Sequence, residues 1–123
     1  MLVAVTYRAK KGRERELERL LDDPETGRRV AQALGASRNV LFLGHGTMVR
    51  VLEFPEGVAA GSMSELAGRN PAMKEFLHRL APLIEDGFDP DDPRSFEAFD
   101  RRITVPLAYD VQVDQTQAPR APV

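Results

Sequence analysis

The chain has 123 residues, the size of one ordinary domain, and nothing in its composition divides it. Seventeen basic residues against 19 acidic ones leave a formal charge of −2, without the basic surplus that nucleic acid or an anionic membrane selects. The absence of cysteine excludes a disulfide framework, a thiolate nucleophile and a Cys-ligated metal. No run approaches the roughly 20 apolar residues of a membrane span, and no secretory pattern opens the chain, so a cytoplasmic location is expected.

Leu2-Val-Ala-Val-Thr-Tyr-Arg8 is β-branched, free of Gly and Pro, and predicts a strand. From Gly12 to Asp23 the period changes: Leu17, Leu20 and Leu21 fall at i, i+3, i+4 among charged residues, which predicts an amphipathic helix. Asp22-Asp23-Pro24 ends it. Residues 24–38 admit two readings, a short helix through Val30 and Leu34 that stops at Gly35, or an irregular insertion. Val40–Leu43 and Thr47–Phe54 flank Gly44-His45-Gly46 and predict a hairpin with a tight turn. Val58–Gly68 predicts a short helix containing the capping-box spacing Ser62-x-x-Glu65. Asn70-Pro71 supplies a cap and a first helical residue for a helix carrying Met73, Phe76, Leu77, Leu80 and Ile84. Five acids between Glu85 and Asp92 predict a solvated loop. Asp92-Pro93 then repeats the cap before a helix through Phe96 and Phe99. Ile103–Val113 predicts a last strand, at an edge or with a bulge because of Pro106. The domain is thus expected over residues 1–113, with 114–123 a flexible tail.

The order β, α, β, β, α, β is that of the ferredoxin-like α+β fold, with helices on one face of an antiparallel sheet. Strand alternation puts Val40, Phe42, Val49 and Val51 on one face of the hairpin and Leu41, Leu43, Met48, Arg50, Leu52 and Phe54 on the other. Both faces are mainly apolar, and one helical layer covers one of them. A homodimer packed sheet against sheet is the simplest cover for the second.

Three segments together, Leu2-Val-Ala-Val-Thr-Tyr-Arg-Ala-Lys-Lys-Gly12, the hairpin Leu41-Phe-Leu with Thr47-Met-Val-Arg-Val-Leu-Glu-Phe54, and Asn70-Pro-Ala-Met with Leu80-Ala-Pro-Leu-Ile-Glu85, resemble the SchA/CurD-like domain family of actinobacterial spore-pigment and aromatic polyketide clusters. The resemblance covers about residues 2–113. It implies a dimeric α+β barrel, a fold shared with small polyketide cyclases and cofactor-free quinone-forming monooxygenases, and a role in polyketide maturation. It carries no set of catalytic residues with it.

Arg50 shares a strand face with Met48, Leu52 and Phe54, where a guanidinium needs a partner. That partner is either a phenolate or enolate oxygen of a substrate, or an acid from the 85–92 loop or a second subunit. Tyr7 and Tyr109, on the first and last strands, offer phenols to a carbonyl, against the commoner role of packing. His45 is a general-base candidate by type, but it occupies a turn; His78 falls opposite the apolar stripe of its helix, on the surface. Phe42, Met48, Phe54, Met73 and Phe76 are the expected lining of a substrate cavity between sheet and helices. Two separated His and a flexible acidic run make no metal-ligand spacing, and no nucleotide or serine-hydrolase motif is present, so neither metal nor cofactor is expected. Cyclisation of a poly-β-ketone is the leading expectation. A cofactor-independent oxidation of an anthrone-like phenol, or a non-catalytic partnership with other polyketide enzymes, are the alternatives.

Overall fold

The structure, a computed structural model, describes residues 1–58 and 69–114. Strand β1 (Leu2–Arg8), helix α1 (Glu14–Leu21), helix α2 (Pro24–Leu34) and the hairpin β2 (Arg38–Gly44) and β3 (Thr47–Glu53) form the first half. Helix α3 (Pro71–Leu80), a 3-10 turn (Ala81–Leu83), helix α4 (Pro93–Ile103) and the two-residue strand β4 (Thr104–Val105) follow. Residues 59–68 of the helix expected over 58–68, with Ser62 and Glu65, and the tail beyond Asp114 lie outside the described residues.

One device starts three helices. Asp23, Asn70 and Asp92 each take an extended backbone, and each side-chain oxygen accepts main-chain N–H groups of the first turn, with Pro next in line. The proline's fixed φ suits the first helical position, where its missing N–H costs nothing. Residues 24–38 therefore contain a helix, which Gly35 ends in the left-handed region at φ 81°. Pro82 converts the end of the long helix expected over 70–84 into the 3-10 turn. Ile84 beyond it bridges to Ala9 and is wholly buried.

The sheet is antiparallel in the order β2-β3-β1-β4, the ferredoxin-like arrangement, and it is open. Register defines its two faces. Val5 lies opposite both Arg50 and Thr104, and Arg50 lies opposite Leu41, so these four residues form one row across the four strands. The face holding Val3, Val5, Tyr7, Met48, Arg50, Leu52, Leu41 and Leu43 meets the helices. Leu17, Met48, Leu77 and Ile84 are its most deeply buried side chains. The opposite face carries Leu2, Val49 and Phe42, the last 62 % exposed.

The last strand is far shorter than Ile103–Val113. Thr104 opposes Val5 and Val105 opposes Ala4; Pro106 then removes a ladder donor, and in this register the chain runs past the start of β1 within a few residues. Period-2 alternation continues through Leu107, Tyr109 and Val111, beyond the two residues that pair with β1. No helix among the described residues is long and apolar enough to cross a membrane.

Candidate functional site

A cavity of about 360 Å³ lies between the inner sheet face and the helices, within the range of small-molecule sites. Its wall is overwhelmingly apolar, built from Val3, Val5, Met48, Leu52 and Phe54 of the sheet side and Phe76, Leu80, Phe96 and Phe99 of the helices, among others. Four side chains interrupt that wall with polar atoms: Tyr7, Arg50, Asp100 and Thr104.

Arg50 reaches the cavity because β3 alternates inward at Met48, Arg50 and Leu52. Among the described residues no acid pairs with it, and its Nε is buried without a hydrogen-bond acceptor. Burial depresses its pKa below the ordinary arginine value, opposed by the nearby Tyr7; arginine stays charged all the same. The acidic loop does not supply the expected counter-ion: Asp91 is engaged by His78 at 3.0 Å and Lys74 at 3.5 Å on the surface.

Tyr7 opposes Met48, one step along the strand pair from the Val5–Arg50 pair, so it is a diagonal neighbour of Arg50 on the same face. Its ring meets Phe99 at 6.0 Å between centroids. Burial pushes its phenol up to about 12, with Arg50 pulling the other way. Near neutral pH it is therefore a neutral hydroxyl, fit to donate a hydrogen bond and unfit to act as a phenolate.

Asp100 is the residue that sequence reasoning missed. It belongs to the stripe Phe96, Phe99, Asp100, Ile103 of α4, and an acid at i+4 of an apolar i, i+3, i+4, i+7 pattern was the available signal. Burial raises its carboxyl pKa above the usual carboxylate value, which makes it a better proton acceptor than a solvated aspartate. Thr104 is tied down one turn later, its Oγ1 donating to the Asp100 main-chain oxygen at 2.7 Å. Arg50 and Thr104 stand two strands apart in the same row, about 10 Å across the sheet.

The other expected residues divide. Met48, Phe54 and Phe76 line the cavity with Arg50 and Tyr7. Phe42 does not, because its alternation with Leu41 and Leu43 turns it to the outer face. Met73 is buried, but on the side of α3 toward a separate cleft with α2. Tyr109 is 79 % exposed on the segment past β4, away from the cavity. His45 sits exposed at the hairpin tip with φ 54°, followed by Gly46 at φ 71°, the paired left-handed residues of a two-residue turn. No cluster of three or more metal-ligating side chains occurs among the described residues.

No family model and no curated protein matches the chain. Among solved structures it is similar to the L-rhamnose mutarotase FA22100 from Formosa agariphila, with a TM-score of 0.53 and 13 % sequence identity over 93 % of this chain and 99 % of that one. The likeness is one of fold, an α+β domain of the ferredoxin-like kind.

Proposed function

We propose that the protein is a cytoplasmic enzyme of aromatic polyketide maturation that closes a ring in a poly-β-ketone intermediate, and that it works as a homodimer packed on the outer sheet face. The observation that carries the reading is Arg50, a half-buried cation whose Nε is enclosed without an acceptor and which has no acid partner among the described residues, lining the apolar cavity on one side and the polar cleft beside α1 and α2 on the other. Such a cation is costly unless a ligand oxygen bearing negative charge completes it. An enolate is that kind of oxygen. The mutarotase of similar fold acts on a sugar, which bears a hydrogen-bonding group on nearly every carbon; a polyketide chain bears one on every second carbon and has no hydroxyl donors to satisfy, which suits a largely apolar wall better.

The chemistry follows from the three groups. Asp100 takes the proton from the methylene between two carbonyls, and the electron pair moves to the enolate oxygen held by Arg50. The enolate carbon then bonds to a second carbonyl carbon, whose oxygen receives a hydrogen bond from Tyr7. The proton on Asp100 returns to the new alkoxide, so the addition needs no cofactor. Holding the two carbons in contact supplies much of the rate.

The test is product analysis of a poly-β-ketone mimic, with oxygen consumption followed in parallel. A shifted ring pattern without oxygen uptake, lost in Asp100→Asn, supports ring closure. Oxygen uptake with an anthrone, in protein free of metal and flavin, would transfer the cavity to the monooxygenase reading. Unchanged product pattern with stable association to another polyketide enzyme would make the protein a non-catalytic partner.

A further inference from the structure

Arg50 has eight neighbours on the inner face of the sheet, two along β3 and three on each strand beside it. Six of them, Val3, Val5, Leu41, Leu43, Met48 and Leu52, are apolar and offer the guanidinium no acceptor. The other two stand on opposite sides of it. Tyr7, diagonal to Arg50 on β1, lines the apolar cavity, and Asn39, diagonal to it on β2, lines the polar cleft beside α1 and α2. Diagonal neighbours lie within reach of long side chains, and Arg50 lines both spaces. The acids of the cleft, Glu18, Asp22 and Asp23, form no ion pair with it; Asp23 is spent on the first turn of α2, where its carboxylate accepts from Glu25 N at 3.1 Å and Thr26 Oγ1 at 2.7 Å.

Asn39 has one half of its amide committed. Its Nδ2 donates to the Gly27 main-chain oxygen of α2 at 2.9 Å. A carbonyl accepts and cannot donate, so this bond fixes which end of the amide is nitrogen and which is oxygen. Among the described residues, Asn39 Oδ1 and Arg50 Nε are the buried side-chain atoms without a hydrogen-bond partner. One is an acceptor and the other a donor, on diagonal neighbours of one sheet face. Each is what the other lacks, and an unmet buried polar atom carries a desolvation cost that a partner removes.

We propose that Asn39 is the positioning residue for Arg50: its Oδ1 accepts the Nε–H when the terminal N–H groups of the guanidinium close on a ligand oxygen in the apolar cavity. The amide, anchored on Gly27, then sets the direction in which the planar fork meets the anion. Of the five N–H groups of arginine, one goes to Asn39 and the four on the terminal nitrogens stay available to the ligand. A neutral amide suits this task, because a carboxylate at the same place would pair with the cation and compete with the ligand. The role rests on the reading of Arg50 as an anion anchor and adds the group that aims it.

The test is binding of a hydroxylated tricyclic aromatic ketone, as phenolate and as neutral phenol, to the full-length parent, Asn39→Leu, Asn39→Asp and Arg50→Met, with the Arg50 Nε–H followed by nuclear magnetic resonance in nitrogen-15-labelled protein. On saturation with phenolate the parent's Nε–H should move downfield, as a donor does on gaining a carbonyl acceptor. Asn39→Leu should lack that shift, bind the phenolate about 10-fold more weakly and bind the neutral phenol as the parent does. Asn39→Asp should lose the preference for phenolate, because its new carboxylate pairs with Arg50 in the free protein. An Nε–H that stays in place in the saturated parent overturns the proposal without recourse to any variant. Asn39→Leu with the parent's phenolate affinity, or Asn39→Asp with the parent's preference, overturns it too, and a weakened Arg50→Met beside them leaves the anchor reading standing. If Arg50→Met itself binds phenolate as the parent does, the anchor reading falls and the role of Asn39 with it.

Discussion

Replacing Arg50 by Met removes a cation and leaves an unbranched apolar side chain that can fill much of the same space. In the ligand-free protein this substitution should raise stability. Nε is buried without an acceptor, and an unmet buried donor costs about 1–3 kcal/mol. Exchange of buried charged groups for apolar ones of similar volume is commonly worth about 1–4 kcal/mol. Some of the guanidinium is open to the cavity, so the lower part of these ranges applies, a net gain of about 1–2 kcal/mol. For a domain of this size that corresponds to a rise in Tm of roughly 4–8 °C. Urea unfolding and calorimetry at one fixed protein concentration measure it, since dimerisation makes Tm concentration-dependent. The same variant should lose turnover, because residues poised for a ligand are kept at a cost in stability. A loss of more than about 1 kcal/mol on Arg50→Met would refute the reasoning. It would mean that an acid, supplied by a second subunit, already pairs with the guanidinium and that Arg50 is a structural ion-pair member.

Three further outcomes follow from the same geometry. Tyr7, held up to about 12 against an unfolded value near 10, binds its proton more tightly in the folded state; stability should be intact below pH 10 and fall as pH rises from 10 to 12. The slope should approach 1.4 kcal/mol per pH unit at most, and Tyr7→Phe should abolish it along with the late step in the ultraviolet titration of tyrosinate. Asp100→Asn should keep the fold and substrate KM while reducing kcat at least about 100-fold, because the Thr104 hydroxyl bonds the Asp100 main chain and not its carboxyl. At the hairpin tip, His45→Asn should leave activity unchanged, whereas Gly46→Ala should destabilise by about 1 kcal/mol or more in thermal unfolding. A Cβ at Gly46 would have φ 71° and stand 3.0 Å from Glu14 Cγ.

What could be read in advance was local chemistry. Asn70-Pro71 and Asp92-Pro93 announce helix starts because cap and proline each satisfy the first turn. The glycines around His45 announce the turn, and alternation on β3 fixes that Arg50 faces inward with Met48 and Leu52. Less legible were features set by distant partners. Leu107, Tyr109 and Val111 read as strand because period-2 alternation reports an extended chain with one apolar side, but not whether a neighbouring strand lies beside it. Asp100 is harder to read, because a charged residue on a short helix looks solvated until α4 is laid over β1. Phe42, expected in the cavity lining, lies on the outer face because it alternates with the inward Leu41 and Leu43.

Arg50 as the anchor for an anionic oxygen in an apolar cavity is tested most directly by calorimetric titration of a hydroxylated tricyclic aromatic ketone into the parent protein and Arg50→Met, above and below the pKa of the ligand's phenol. The parent should prefer the phenolate, and Arg50→Met should lower affinity for it at least about 100-fold, with little change for the neutral phenol. Equal affinities of the two proteins for the phenolate would contradict it.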